Sequence, residues 1–162
     1  EKYGRGVESV YFKFQDGSKH EFYIKQEKNP VFILALTENN EVILTKQFRP
    51  GPKKIFMGLP GGEIDKGETP EEAATRELLE ETGYGDGDIK LAEKTHLCGY
   101  STSQRYTFVA TNCKHIKEQE LDSNEEIDIS LTSTKEFRKL LQTGKILETD
   151  IGYLGLDYLN LL

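Results

Sequence analysis

Sorted into apolar and polar positions, the first sixty residues of the chain look extended. Residues 7–14 are β-branched and aromatic, Asp16-Gly17 offers a turn, and residues 20–25 read extended again. Residues 31–36 are continuously apolar, the pattern of a strand covered on both faces. Glu38-Asn39-Asn40 turns the chain into another strand over 42–48, and the Gly- and Pro-rich stretch 50–60 reads as a loop. The pattern then changes. Residues 69–82 form the clearest helix, with Thr69 as N-cap and Pro70 at the first helical position. Glu72 completes a Thr-x-x-Glu capping box, Gly83 supplies the stop, and Ala74, Leu78 and Leu79 give the helix a side to bury.

Two more strands are expected, around 89–97 and 106–111, followed by a polar, acidic loop over 114–126 and a short strand over 127–131. Ser133 or Thr134 would cap a helix running through Leu141 and closed by Gly144, and residues 150–162 read as a last helix. Strands mixed with a few helices, without strict βαβ alternation, predict an α+β sandwich with helices on both sides of a mixed sheet. The 162 residues predict one domain, and no repeat or Pro/Gly/Ser-rich linker divides them.

Composition narrows the function classes. A chain with 36% hydrophobic residues and a net charge of −7 is globular, and without a basic cluster it is a poor partner for nucleic acid. The longest purely apolar run, 31–36, is too short to span a membrane. No basic-then-apolar signal opens the chain, and Cys98 and Cys113 form neither a disulfide scaffold nor a metal-ligand spacing. Both are expected as buried thiols, in an intracellular, reducing compartment, the cytoplasm.

The acidity is local. Residues 61–83 hold eight acids against two bases, a charge of −6, while the other 139 residues hold 20 acids and 19 bases. Carboxylates this dense either spread into solvent or gather around something cationic. Glu77, Glu80 and Glu81 are spaced to project from one side of the helix, and Arg76 lies four before Glu80, near enough to pair with it. Glu68 sits just ahead of the helix, and Gly61-Gly62 permits a tight loop with exposed carbonyls. Hard divalent cations such as Mg²⁺ want such oxygen ligands, completed by substrate phosphates.

The spacing is more specific than the charge. Gly62, five residues, Glu68, seven residues, then Arg76-Glu77-Leu78-Leu79-Glu80-Glu81-Thr82-Gly83-Tyr84 resembles the Nudix box, Gly-x5-Glu-x7-Arg-Glu-U-x-Glu-Glu-x-Gly-U with U apolar. Only Tyr84 is less typical than the aliphatic usual there. Lys46-Gln47-Phe48-Arg49-Pro50, the lead-in Leu59-Pro60-Gly61-Gly62-Glu63-Ile64-Asp65, Glu125-Glu126-Ile127 and Gly144-Lys145-Ile146 resemble the ADP-ribose pyrophosphatase branch of the Nudix hydrolases. The resemblance implies the Nudix α/β/α sandwich with a central mixed sheet. It also implies a homodimer in which N-terminal strands, within about 1–28, cross to the partner.

It further implies Mg²⁺- or Mn²⁺-dependent attack of water on the pyrophosphate of a nucleoside diphosphate linked to another group. Bound metal would reverse the local field, hold phosphate oxygens and acidify a coordinated water. Glu77 and Glu81 are then the expected metal ligands, with Glu80 direct or water-mediated and the Gly61 carbonyl as a backbone ligand. Arg76 orients Glu80 and Glu68 supports the network. The general base, or a further ligand, is Glu125 from a late loop, with Glu126 next and a glutamate of the box as competing assignment. Arg49 is the candidate phosphate contact, with Gly62 beside it. Phe48, Phe56 and Tyr100 are candidates for stacking on a base, or else core.

Departures bear on the substrate. The resembled branch often has a Glu where this chain has Gly58, and a Pro about sixteen residues after the box where this chain reads Gly99-Tyr100-Ser101-Thr102-Ser103. Gln104 stands where an acid is common. ADP-ribose or a related nucleoside diphosphate sugar is the first expectation. Nucleoside triphosphates, damaged or ordinary, and dinucleoside polyphosphates are the alternatives, with a non-catalytic nucleotide-binding module behind them.

Overall fold

Residues 5–162 are described by a computed structural model. The first four residues of the N-terminal 1–28 segment lie outside the described residues. The continuously apolar run becomes β3 (Val31–Thr37), and its two faces organise the molecule. Val31, Ile33 and Ala35 pack against Ala73, Ala74 and Leu78 of α1 (Pro70–Thr82). Leu34 and Leu36 pack the other way, on Phe137 and Leu141 of α2 (Thr134–Gln142) and on Ile151 and Leu156 of α3 (Thr149–Tyr158). A strand between two helical layers has no solvent face, which is why it does not alternate.

β3 pairs in parallel with β8 (Gln104–His115) and antiparallel with β4 (Glu41–Arg49), so the sheet is mixed as expected. β4 also carries β5 (Lys54–Gly58) and β9 (Ile127–Ser133), and β8 carries β6 (Tyr84–Gly85) and β7 (Asp88–His96). β1 (Gly6–Lys13) and β2 (Lys19–Gln26) form a separate two-stranded hairpin. No helix among the described residues is long and apolar enough to cross a membrane.

Several expectations are corrected. The 50–60 stretch is not all loop, because β5 pairs Lys54 to Gly58 with Arg49 to Thr45. Gly and Pro crowd both ends of that short strand and hide it, while Lys53 in a left-handed conformation (φ 54°) closes the hairpin. β8 runs on to His115, taking the first residues of the supposed loop because β6 pairs with its end. The last helix stops at Tyr158, and Asn160 turns left-handed (φ 56°). Cys113 is buried but Cys98 is exposed, in the turn after β7.

The helix termini behave as read. Thr69 accepts the Glu72 amide, Glu72 accepts the Thr69 amide in return, and Gly83 closes α1 with φ 71°. Ser133 caps α2 through the Glu136 amide. Because Phe137 is fully buried between α2 and the sheet, Phe137→Ala should cost about 3–5 kcal/mol of stability, read as a lowered urea midpoint. An unchanged midpoint would mean that α2 is not docked as described.

Candidate active site

β4 pairs with β3 only at Ile43–Ala35 and Val42–Leu36, and the segment after β5 runs beside the rest of β3 instead. Ile33 donates its amide to the Pro60 carbonyl and Val31 donates to the Gly62 carbonyl, both at 2.9 Å. Gly61 is pressed onto β3 so closely that a Cβ would lie 2.2 Å from the Val31 carbonyl oxygen. A Cβ on Gly62 would lie 2.4 Å from Glu77 Oε1. Glycine at 61 is therefore a packing requirement, while a side chain at 62 would displace the Glu77 carboxylate. Among the described residues no donor reaches the Gly61 carbonyl oxygen.

α1 lays its acidic face over this segment. Glu81 is only 5% exposed, and its Oε2 accepts the Gly61 amide at 2.9 Å. Burial pushes its carboxyl up to about 8, with Glu77 and Glu125 adding repulsion. Burial likewise raises Glu77, against the pull of Arg76. Arg76 gathers the remaining charge. Its Nε and Nη2 hold Glu68 at 2.8 and 3.0 Å, and its Nη1 holds Glu77 at 2.8 Å and Glu80 at 3.1 Å. The guanidinium in turn holds Glu68 below the usual carboxylate range.

Glu77 and Glu81 face a cleft of about 440 Å³ with Gly61, Gly62, Arg49 and Arg76. Glu80 does not line this cleft with them: it is the most exposed of the three and is turned to Arg76. Glu125 closes the opposite wall, with Asp122 and Asn124 beside it. Its loop is moored to the end of α1, whose last carbonyls need partners. The Gln119 side chain donates to the Glu81 and Ile127 carbonyls, and the Glu120 amide donates to the Glu80 carbonyl. A turn in which Glu125 and Asp122 each accept the other's amide then sets the tip.

The rim is cationic. Arg5 and Lys28 both reach Glu63, at 3.1 and 3.2 Å. Arg49 lies where both Glu81 and Glu148 feel its charge. Gly61, Gly62 and Arg49 also border a second hollow of about 300 Å³, walled by Phe32, Leu97 and Leu147 with Glu148 among them. Phe48 and Tyr100 are not brought to either hollow. Both are more than half exposed, and Tyr100 stacks on Phe22 of the hairpin. Glu126 is exposed and faces neither hollow.

The site thus contains residues that linear spacing does not point to. Asp122 and Asn124 read as ordinary loop polars, and Gln119 carries no motif. Glu148 reads as an acid at a helix start, and its partner Leu59 is 89 positions away. Among the described residues no three His, Cys, Asp or Glu side chains stand together as a ready-made ligand set. The donors nonetheless fit a hard dication chemically. They are carboxylate oxygens of Glu77, Glu81 and Glu125, of which Glu81 is buried, plus a carbonyl at Gly61 without a donor, and they include no sulfur or imidazole.

Comparison with known proteins agrees with this geometry. The NUDIX domain family profile matches residues 27–148. The ADP-ribose pyrophosphatase of Bacillus subtilis is 30% identical over 157 residues, 96% of this chain and 83% of that protein. The ADP compounds hydrolase NudE of Escherichia coli is 32% identical over 107 residues, 64% of this chain and 57% of that protein. A solved structure described as an ADP compounds hydrolase superposes with a TM-score of 0.80 at 23% identity, covering 100% of this chain and 91% of the other, a likeness of fold. With a profile across most of its length and a relative matched nearly end to end, the chain belongs to the Nudix hydrolases, a typically divalent-metal-dependent family, and is ADP-ribose pyrophosphatase-like.

Proposed function

We propose that the protein is a Mg²⁺- or Mn²⁺-dependent pyrophosphatase of ADP-ribose or a related nucleoside diphosphate sugar, releasing a nucleoside monophosphate and a phosphosugar. The observation that carries the reading is the single cleft lined by Glu77, Glu81 and Glu125 together with Gly61, Gly62 and Arg49. The hollow alongside, partly apolar and partly charged, offers room for the group attached to the diphosphate. The nearly full-length similarity to an ADP-ribose pyrophosphatase supports the substrate class.

When bound, the dication would offset the negative cleft against an incoming diphosphate and acidify a water beside it. Glu77, Glu81 and the Gly61 carbonyl are the oxygens assigned to hold it, with Glu80 contributing directly or through water. Arg76 is a positioning residue: gripping Glu68, Glu77 and Glu80 together, it sets how those carboxylates are presented. Arg49 is assigned to phosphate oxygens, which its planar guanidinium can hold in pairs. Glu125 takes the proton of the attacking water as that oxygen bonds to phosphorus and the bond to the leaving phosphate breaks. The loop that carries the base is tied to the end of α1, which holds Glu125 over the same cleft as Glu77 and Glu81.

A homodimer joined through the β1–β2 hairpin is part of the same reading. The hairpin leaves Val7, Tyr11 and Tyr23 at 67%, 67% and 63% exposure, apolar surface of the kind that marks an interface.

Incubated with a panel of ADP-ribose, other nucleoside diphosphate sugars, nucleoside triphosphates and dinucleoside polyphosphates, the protein should release AMP fastest from ADP-ribose-like compounds, and EDTA should stop it. Preference for a triphosphate would overturn the substrate assignment. Glu81→Gln should lower kcat at least about a hundredfold, and turnover like the parent's would mean that the ligands are misassigned. Light scattering should give twice the 18.4 kDa chain mass, falling to a single chain in Val7→Asp/Tyr11→Asp. A monomeric parent protein would rule out the hairpin interface.

A further inference from the structure

Glu148 is the second buried carboxylate at this site, after Glu81, and it has no part in the proposed chemistry. It stands at the N-cap of α3 and is 7% exposed. Ser, Thr, Asp or Asn there would turn its side chain onto the helix's first amides. Glu148 makes no such bond. Its side chain runs away from the helix instead, and Oε2 accepts the Leu59 amide at 3.2 Å. Oε1 accepts from no other of the described residues. Burial raises its carboxyl, with the charge of Arg49 opposing. A largely buried carboxylate held by backbone amides on one side, with no cation bonded to it, is the kind of group that gathers where a ligand uses it.

Its surroundings define the ligand. Glu148 sits in a hollow with apolar walls at Phe32, Leu97 and Leu147 and a charged side at Arg5, Lys28, Arg49 and Glu63, the side it shares with the diphosphate cleft along with Gly61 and Gly62. A group held there is the one joined directly to the diphosphate, and in a nucleoside diphosphate sugar that group is a sugar. Apolar walls suit its ring carbons. A carboxylate with an open oxygen suits its hydroxyl donors and has nothing to offer a phosphate. Space for the carboxylate comes from Gly58, where a Cβ would lie 2.8 Å from Glu148 Oε2. That is the position at which the lead-in departs from the branch it resembles.

We infer that Glu148 is a specificity-determining residue, whose carboxylate accepts hydrogen bonds from the hydroxyls of the sugar next to the diphosphate, in space left open by Gly58. The assignment rests on the proposed function for its substrate class, but its test does not depend on turnover. Binding is measured by calorimetry on the Mg²⁺-loaded protein, with ribose 5-phosphate against 2-deoxyribose 5-phosphate and AMP against 2′-deoxyAMP, none of which contains a pyrophosphate to cleave. In one of these pairs the hydroxyl should improve affinity by roughly tenfold or more. Glu148→Ala should erase that preference while leaving affinity for the deoxy compound within about threefold, the benchmark being one charged hydrogen bond.

Glu148→Gln keeps the side-chain length and an acceptor for Leu59, so it should fold even where Glu148→Ala does not, and it should reduce the preference. Gly58→Glu added to Glu148→Ala returns a carboxylate to the same space and should restore part of it. Loss of both members of a pair to the same degree would reduce Glu148 to a prop for Leu59 and overturn the inference. So would the absence of any hydroxyl preference in the parent protein. A parent that shows the preference, loses it in the variants and yet cleaves no nucleoside diphosphate sugar would uphold this inference and refute the proposed function.

Discussion

The burial of the Glu81 carboxylate against the Gly61 amide is the constraint from which the site follows. An ionised carboxyl is expensive to remove from water, and here the expense is met by a backbone donor and by a raised pKa. To reach that amide, α1 must lie directly on the segment after β5, and that segment must lie directly on β3. Hence the glycines: any side chain at 61 would strike β3, and any at 62 would strike Glu77. The acidic helix and the glycine turn are one device in which backbone and carboxylates are pressed into the same small volume.

The fold supplies that device with fixed walls. β3 is held between two helical layers and cannot shift without breaking both cores. The loop after β8 is lashed to the last carbonyls of α1, so the wall bearing Glu125 is referred to the same helix as Glu77 and Glu81. Arg76 completes the arrangement by giving three carboxylates a common counter-charge. Local repulsion is thereby met within the chain, while the cleft keeps an excess of acidic oxygens for a dication and a diphosphate to share.

Much of this was legible in the sequence because it rests on local rules. The capping box at Thr69, the stop at Gly83, the two-faced burial of β3 and the spacing of Arg76 to its glutamates are all set within a few residues of one another. What was hidden depends on distant partners. β5 is a strand because β4 lies beside it, not because of its own Gly- and Pro-bounded composition. Glu80 shares the helix with Glu77 and Glu81, yet its place is decided by the guanidinium it meets. Phe48 and Tyr100, aromatic and close to the motifs in sequence, point elsewhere because their strand and turn face outward. Gln119 and Glu148 carry no linear signal, since their partners are carbonyls and amides presented by segments far along the chain.

The contact between position 58 and the Glu148 carboxylate makes two distant residues a single heritable choice. A Cβ at 58 would lie 2.8 Å from the Glu148 carboxylate, so a side chain gained at 58 makes the acid at 148 swing from its present place. Ninety positions apart in the chain, the two residues draw on one small volume, and a change at either is felt at the other.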